Sequence, residues 1–132
     1  MRLSEIELVQ RLHADGIHVV YMPLTRESGL YVHKARLIMI DSKASPTWQL
    51  WTLAHEAIHA KRGDDGPQNP RIEQLVDRQA ARLLISPHEY RLAEHCYGAN
   101  YTAIADEMGV PVECVEAFRQ WLASTPRQAV TY

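Results

Sequence analysis

The sequence lacks several features that would directly indicate a particular class of protein. Its 132 residues include only two cysteines, Cys96 and Cys114, which lie far apart and form no CxxC pair. We therefore expect neither a disulfide framework nor a cysteine-ligated metal site, and reduced thiols favour a cytoplasmic location. No run approaches about eighteen consecutive apolar residues, so no membrane span is expected. Acidic Glu5 and Glu7 stand where a signal peptide needs an apolar run, so no such peptide is expected.

The sequence also has no large excess of positive or negative charge. The net charge is −2, with 46% hydrophobic and 23% charged residues, which is typical of a globular domain. Such a balance gives no reason to expect nucleic acid or an acidic surface as the main partner. The length fits a single compact unit with its own core.

The first 40 residues predict one helix followed by a small sheet. Residues 4–7 read as a capping box, with apolar Ile6, Val9 and Leu12 at helical spacing and a stop at residues 15–16. Two β-rich stretches follow, 17–24 and 29–40, the second with a turn around residues 33–35. Leu37 to Ile40 is apolar enough for a strand buried on both faces. We expect a three-stranded sheet of undetermined order, and an α+β fold.

The remaining residues predict helices with recognisable ends. Ser45 and Pro46 open a second helix and Gly63 ends it. Asn69-Pro70 starts a third helix after a turn-rich loop, and Ser86-Pro87 starts a fourth that ends at Gly98. Residues 101–122 predict two short helices around a turn at 109–111.

The second helix carries the sequence LAHEAIHAKRGDD, residues 53–65. His55 and His59 are four residues apart, so both side chains can reach one ion from the same helix face. Glu56 is rotated by about 100° from His55, close enough to contact a water on the metal but poorly placed as a ligand. The alternative is an amphipathic helix with two surface histidines. The apolar stripe lies beside the histidines, which favours a zinc site facing a cleft; its residues are Leu50, Leu53, Ala54, Ala57 and Ile58.

A catalytic zinc usually needs a third protein ligand. Four downstream carboxylates are candidates: Asp64, Asp65, Glu73 and Asp77. Asp65 has the spacing of an HExxHxxGxxD pattern, but Arg62 stands where that pattern needs glycine. Glu73 lies on the core-facing side of the third helix with Val76 and Ala80, where a carboxylate is costly unless it is paired or bound to a metal. We therefore favour Glu73, with Asp77 either ligating instead or bonding a ligand histidine.

In the order of its predicted elements and in its motifs, the chain resembles the ImmA/IrrE family of zinc metallopeptidases. This family is common in phages, mobile elements and bacterial stress-response loci. The resemblance covers roughly residues 17–90 and rests on GLYV…LIMID, WTLAHEAIHA and IEQLVDRQAARLLIS. It implies zinc held by His55, His59 and Glu73, with Glu56 as the catalytic base. Val76, Gln79 and Ile58 depart from the usual family residues, but none of these departures removes a ligand or the base.

The resemblance also implies a metallopeptidase-like domain at 1–98, with a helical C-terminal extension at 99–132 packed on it. It further implies a helix-turn-helix transcriptional repressor as the substrate. Glu56 would take a proton from the attacking water and pass it to the leaving amine. An oxyanion donor is often needed as well, and Tyr31, His88 and Tyr90 are candidates.

Two alternatives stay open. Ala105, Gly109 and Val115 have helix-turn-helix spacing, but Glu113 and Glu116 would face the groove, and the charge balance argues against direct DNA binding. The chain could also be a non-catalytic regulatory module that keeps the fold and binds a protein partner.

Overall fold

The computed structural model describes residues 3–125, which form six helices and three strands. In chain order the elements are α1 (Glu5–Ala14), β1 (His18–Met22), β2 (Gly29–Val32), β3 (Leu37–Asp41), α2 (Pro46–Arg62), α3 (Pro70–Leu84), α4 (Pro87–Tyr97), α5 (Tyr101–Met108) and α6 (Val112–Ser124). The predicted α+β class with a small three-stranded sheet is confirmed.

The sheet has β3 in the centre, parallel to β1 and antiparallel to β2. Ile38 and Ile40 are fully buried against the helices, whereas Leu37 and Met39 are only half-buried. The prediction that β3 is buried on both faces is therefore wrong. Of the helices, α1 packs on β1, and α2 packs on β2 and β3. The side chains of Leu37 and Met39 alternate with Ile38 and Ile40 and point to the opposite face.

The capping box of α1 is confirmed, because the Ser4 hydroxyl accepts from the Glu7 N–H and the Glu7 carboxylate accepts from the Ser4 N–H. Of the apolar residues at helical spacing, Leu12 is buried and Ile6 is 72% exposed. Leu8 and Leu12, one helical turn apart, are the buried residues of this helix.

Helix α2 is the central element of the fold and has the predicted ends. The Ser45 hydroxyl caps its first turn, and Gly63 ends it in the left-handed conformation at φ 74°. One side of α2 packs on the sheet and another side packs along α3. Helix α3 begins at Pro70 after the cap residue Asn69, as predicted. The two helices that carry the candidate ligands therefore lie side by side.

The last three helices pack in series, with α6 against α3, α5 against α6 and α4 against α5. The predicted turn at residues 109–111 separates α5 from α6, and α6 packs along α3. Phe118 is fully buried, with its ring centroid 5.0 Å from that of Tyr90 and 5.4 Å from that of Trp121. Across residues 3–125, no helix is long and apolar enough to cross a membrane.

Candidate metal centre

Three potential ligand atoms from α2 and α3 converge on one point. The Nε2 atoms of His55 and His59 lie 3.2 Å apart, and Glu73 Oε1 lies 3.1 Å from the first and 3.0 Å from the second. Helical spacing places both imidazoles on the same face of α2. The packing of α3 against α2 brings Glu73 to them, although it lies 14 residues beyond His59 in the chain.

The other ring nitrogen of each histidine contacts a carboxylate. His55 Nδ1 lies 2.7 Å from Asp77 Oδ1, and His59 Nδ1 lies 2.8 Å from Asp64 Oδ2. An ionised carboxylate only accepts, so each Nδ1 carries the hydrogen and donates it. In a neutral imidazole this leaves the Nε2 lone pair directed at the point of convergence.

The chemistry of this donor set fits a divalent cation. Both Nδ1 hydrogens are donated to carboxylates outside the cluster. In neutral imidazoles this leaves two Nε2 lone pairs and one carboxylate oxygen facing one another with no hydrogen between them. These atoms all lie within 3.2 Å of one another, and the set of two imidazoles and one carboxylate is a common zinc ligand set. The Gln68 N–H donates to Glu73 Oε2 at 3.2 Å, which helps to hold the other oxygen toward the histidines.

Charge around the histidines also favours a cation. Burial alone would lower the pKa of His55, but the hydrogen bond to Asp77 and the charges of Glu56, Asp77 and Glu73 outweigh it and raise that pKa. The site thus collects negative charge around two imidazoles, which is the polarity that a bound metal ion would neutralise.

Glu56 lies beside the convergence point but outside the cluster. Its Oε2 is 4.0 Å from His55 Nε2, and the backbone N–H of Tyr31 in β2 donates to its carboxylate. Burial raises the pKa of Glu56, and the nearby histidines only partly oppose this. A buried carboxyl with a raised pKa beside a candidate metal site is the kind of group from which general bases are built.

A cavity of about 330 Å³ opens over these groups. Gly29, Leu30 and Tyr31 of β2 form one wall, and Gly66 and Pro67 of the loop before α3 form another. A second cavity of about 350 Å³ shares His55 and Glu56 and extends along α2 to two indole rings, those of Trp48 and Trp51. The candidate site therefore lies in a cleft along the edge of the sheet.

The other residues that the sequence suggested for the site occupy different places in the structure. Asp77 and Asp64 contact the outer nitrogens of the histidines, and Asp65 is exposed in the loop. Of the three oxyanion candidates, Tyr31 lines the cavity, Tyr90 packs in the core against Phe118, and His88 lies on α4 outside the cavity lining.

The sequence did not predict that Asp64 contacts the outer nitrogen of His59 or that β2 lines the cavity. Asp64 was considered only as a metal ligand, and β2 was not placed at the cleft. A helix stop at Gly63 followed at once by a carboxylate was the available signal for Asp64, because a left-handed stop turns the chain back over the last helical turn. No local pattern predicts which strand edge meets α2.

Helix α2, which carries the HExxH motif, packs against the small mixed sheet beside the cleft. The family model Peptidase_M78, described as the IrrE N-terminal-like domain, matches residues 13–118, which is most of the chain. The chain belongs to this metallopeptidase family.

A relative from Deinococcus deserti, the radiation response metalloprotease IrrE, is 33% identical over 87 residues. The match covers 57% of this chain and 31% of the relative. The chain therefore spans about a third of the length of this curated relative.

Proposed function

We propose that the protein is a zinc-dependent endopeptidase in which His55, His59 and Glu73 hold the metal and Glu56 is the catalytic base. The observation that carries the proposal is the convergence of two imidazole nitrogens and one carboxylate oxygen within 3.2 Å of one another. Three protein ligands leave one coordination position open, as a catalytic zinc site requires. Bound zinc would supply a water of lowered pKa and would polarise a substrate carbonyl.

The residues of this chain then have distinct roles. Glu56 accepts the proton of the attacking water and delivers it to the leaving amine. The Tyr31 N–H holds the Glu56 carboxylate in place, and burial raises its pKa so that it can both take and return a proton. Glu56 is 9% exposed, so bulk water competes little for it.

The edge of β2 supports an extended peptide as the substrate. Asp41 donates its N–H to the Ser28 carbonyl at 2.8 Å, one residue beyond the Gly29–Ile40 pair, which places Ser28 and Asp41 at a hydrogen-bonding position of the ladder. Because such pairs alternate along antiparallel strands, Gly29 and Tyr31 direct their N–H and C=O groups away from β3. Since the Tyr31 N–H donates to Glu56, the Gly29 groups and the Tyr31 C=O are left for a substrate. A peptide added along this edge would pass the metal ligands by strand addition.

The substrate that we propose is a helix-turn-helix transcriptional repressor encoded near the protein, as the ImmA/IrrE resemblance implies. Phage and mobile-element loci are the settings in which such a repressor would be found. Cleavage would release the genes that the repressor silences. The relative from Deinococcus deserti, whose name describes a radiation response metalloprotease, is consistent with a regulatory protease.

The test is to incubate the protein and zinc with the purified neighbouring repressor. Glu56→Gln should lower the cleavage rate by about 10²- to 10⁴-fold because it removes proton transfer. Zinc content should remain, since Glu56 lies outside the ligand cluster. Glu116→Gln, which changes an exposed glutamate of α6, is the matched control and should cleave normally. Cleavage that survives Glu56→Gln unchanged would remove Glu56 as the base.

Zinc content measured by metal analysis tests the third ligand. Glu73→Ala should lose zinc, whereas Asp77→Ala should retain most of it because Asp77 contacts only the outer nitrogen of His55. Full occupancy in the Glu73 variant would refute the assignment. Zinc bound without cleavage, together with tight repressor binding, would instead identify a non-catalytic regulatory module.

A further inference from the structure

The turn after α2 returns the chain to the metal helix. Gly63 adopts φ 74° and donates its N–H to the Ala60 carbonyl, and the next N–H, of Asp64, donates to the His59 carbonyl at 3.1 Å. A left-handed residue at this position favours glycine and reverses the chain direction. As a result, Asp64 is fixed by its backbone next to the same histidine that its side chain contacts.

The Asp64 carboxylate lies between two partners, the His59 imidazole and the Arg62 guanidinium. Its Oδ2 lies 2.8 Å from His59 Nδ1 and accepts a hydrogen bond from Arg62 Nε at 2.8 Å. The Asp64 side chain is 11% exposed, and that of its counterpart Asp77 is 41% exposed. Charge-assisted bonds are stronger where water is excluded, so the contact of Asp64 with His59 restrains its histidine more than the contact of Asp77 with His55 does.

We infer that Asp64, anchored by Arg62, is a positioning residue for the metal site. It fixes the ring rotation of His59 and keeps the hydrogen on Nδ1, so that the Nε2 lone pair is always directed at the metal. The inference rests on the proposed function, because it takes His55, His59 and Glu73 as the metal ligands. Asp64 itself does not contact the metal in this arrangement.

The experiment measures zinc affinity by competition with a chelator in four variants of the full chain. Asp64→Ala should weaken zinc binding by about 10- to 100-fold, as loss of a carboxylate behind a ligand histidine does in other sites. Asp64→Asn should weaken it less, because the amide oxygen still accepts from Nδ1. Arg62→Gln should also have a smaller effect. Asp65→Ala removes the exposed neighbouring carboxylate and should leave affinity unchanged.

A spectroscopic measurement separates positioning from general stability. In the metal-free protein, the ¹⁵N shifts of the His59 ring should report a single Nδ1–H tautomer, and Asp64→Ala should show a mixture of tautomers. The Asn variant keeps this test informative if the Ala variant folds poorly.

Two outcomes would overturn the inference alone: zinc affinity of Asp64→Ala equal to wild type, or an equal loss in Asp65→Ala. A wild-type protein that binds no zinc would overturn this inference and the proposed function together.

Discussion

Gly29 allows a quantitative test of how the sheet edge and the metal helix fit together. A Cβ added to Gly29 would lie 2.5 Å from Thr52 Cγ2 and 3.0 Å from the Met39 carbonyl oxygen. Contacts this short are not tolerated, so alanine at position 29 must displace the Thr52 side chain or move β2 away from α2. Thr52 is three residues before His55 and lies on the same side of α2. The displacement would therefore reach the metal site.

The expected cost of Gly29→Ala is about 1–3 kcal/mol of unfolding free energy, the range for inserting a methyl group into a packed core. Backbone strain adds nothing, because Gly29 does not have a positive φ. Urea unfolding of the metal-free protein measures the change directly. Since β2 also holds Glu56 through the Tyr31 N–H, the variant should cleave more slowly as well.

Thr52→Ser is the matched control because it deletes the methyl group that the new Cβ would meet. Alone it should cost about 0.5–1.5 kcal/mol, as loss of one buried methyl does. Combined with Gly29→Ala it should recover stability relative to the sum of the single changes, with a coupling of about 0.5–3 kcal/mol. The recovery is partial because the contact with the Met39 oxygen remains. Strict additivity, or a near-neutral Gly29→Ala, would refute the packing account.

Two further predictions concern the helical core around Phe118. Phe118→Ala should lower the unfolding free energy by about 3–5 kcal/mol, because the ring is fully buried against Tyr90 and Trp121. Leu92→Ala, at a side chain 56% exposed, should cost little in the same urea titration, and similar losses in both variants would contradict the assigned core. Burial and the nearby Glu94 charge raise the pKa of Tyr90, so the stability that its neutral phenol contributes is present below its ordinary pKa of 10 and is lost as pH rises through the raised value. Wild type should therefore lose stability relative to Tyr90→Phe above about pH 10 in thermal unfolding, and a pH-independent difference would exclude ionisation of Tyr90 as the cause.

Part of the candidate site can be predicted from local sequence patterns. His55, Glu56 and His59 were predictable because helical spacing alone places the two imidazoles on one face. Glu73 was favoured from its place on the core-facing side of α3, and the structure places its Oε1 within 3.1 Å of both histidines. Their assignment as ligands and base stays a proposal for the zinc and cleavage experiments.

Other contacts could not be predicted, because they depend on how separate segments pack. The sequence allows Asp77 to be either a ligand or a partner of a histidine, and in the structure it contacts His55 Nδ1 from 22 residues away. Asp64 was considered only as a ligand, yet it contacts the outer nitrogen of His59. Ile6 shares the helical spacing of Val9 and Leu12, yet its side chain is mostly exposed.

The sequence by itself determined the kinds and order of the elements and the ends of α2, and it determined the pair of histidines with the adjacent glutamate. These features depend on interactions within a few residues, such as the Ser45 cap, the left-handed Gly63 and the helical spacing of four. Only the tertiary structure decided that β3 is central, that the β2 edge borders the cleft, and which carboxylate contacts which histidine nitrogen. Those outcomes depend on the packing of segments that are distant in the chain, and no local pattern encodes that geometry.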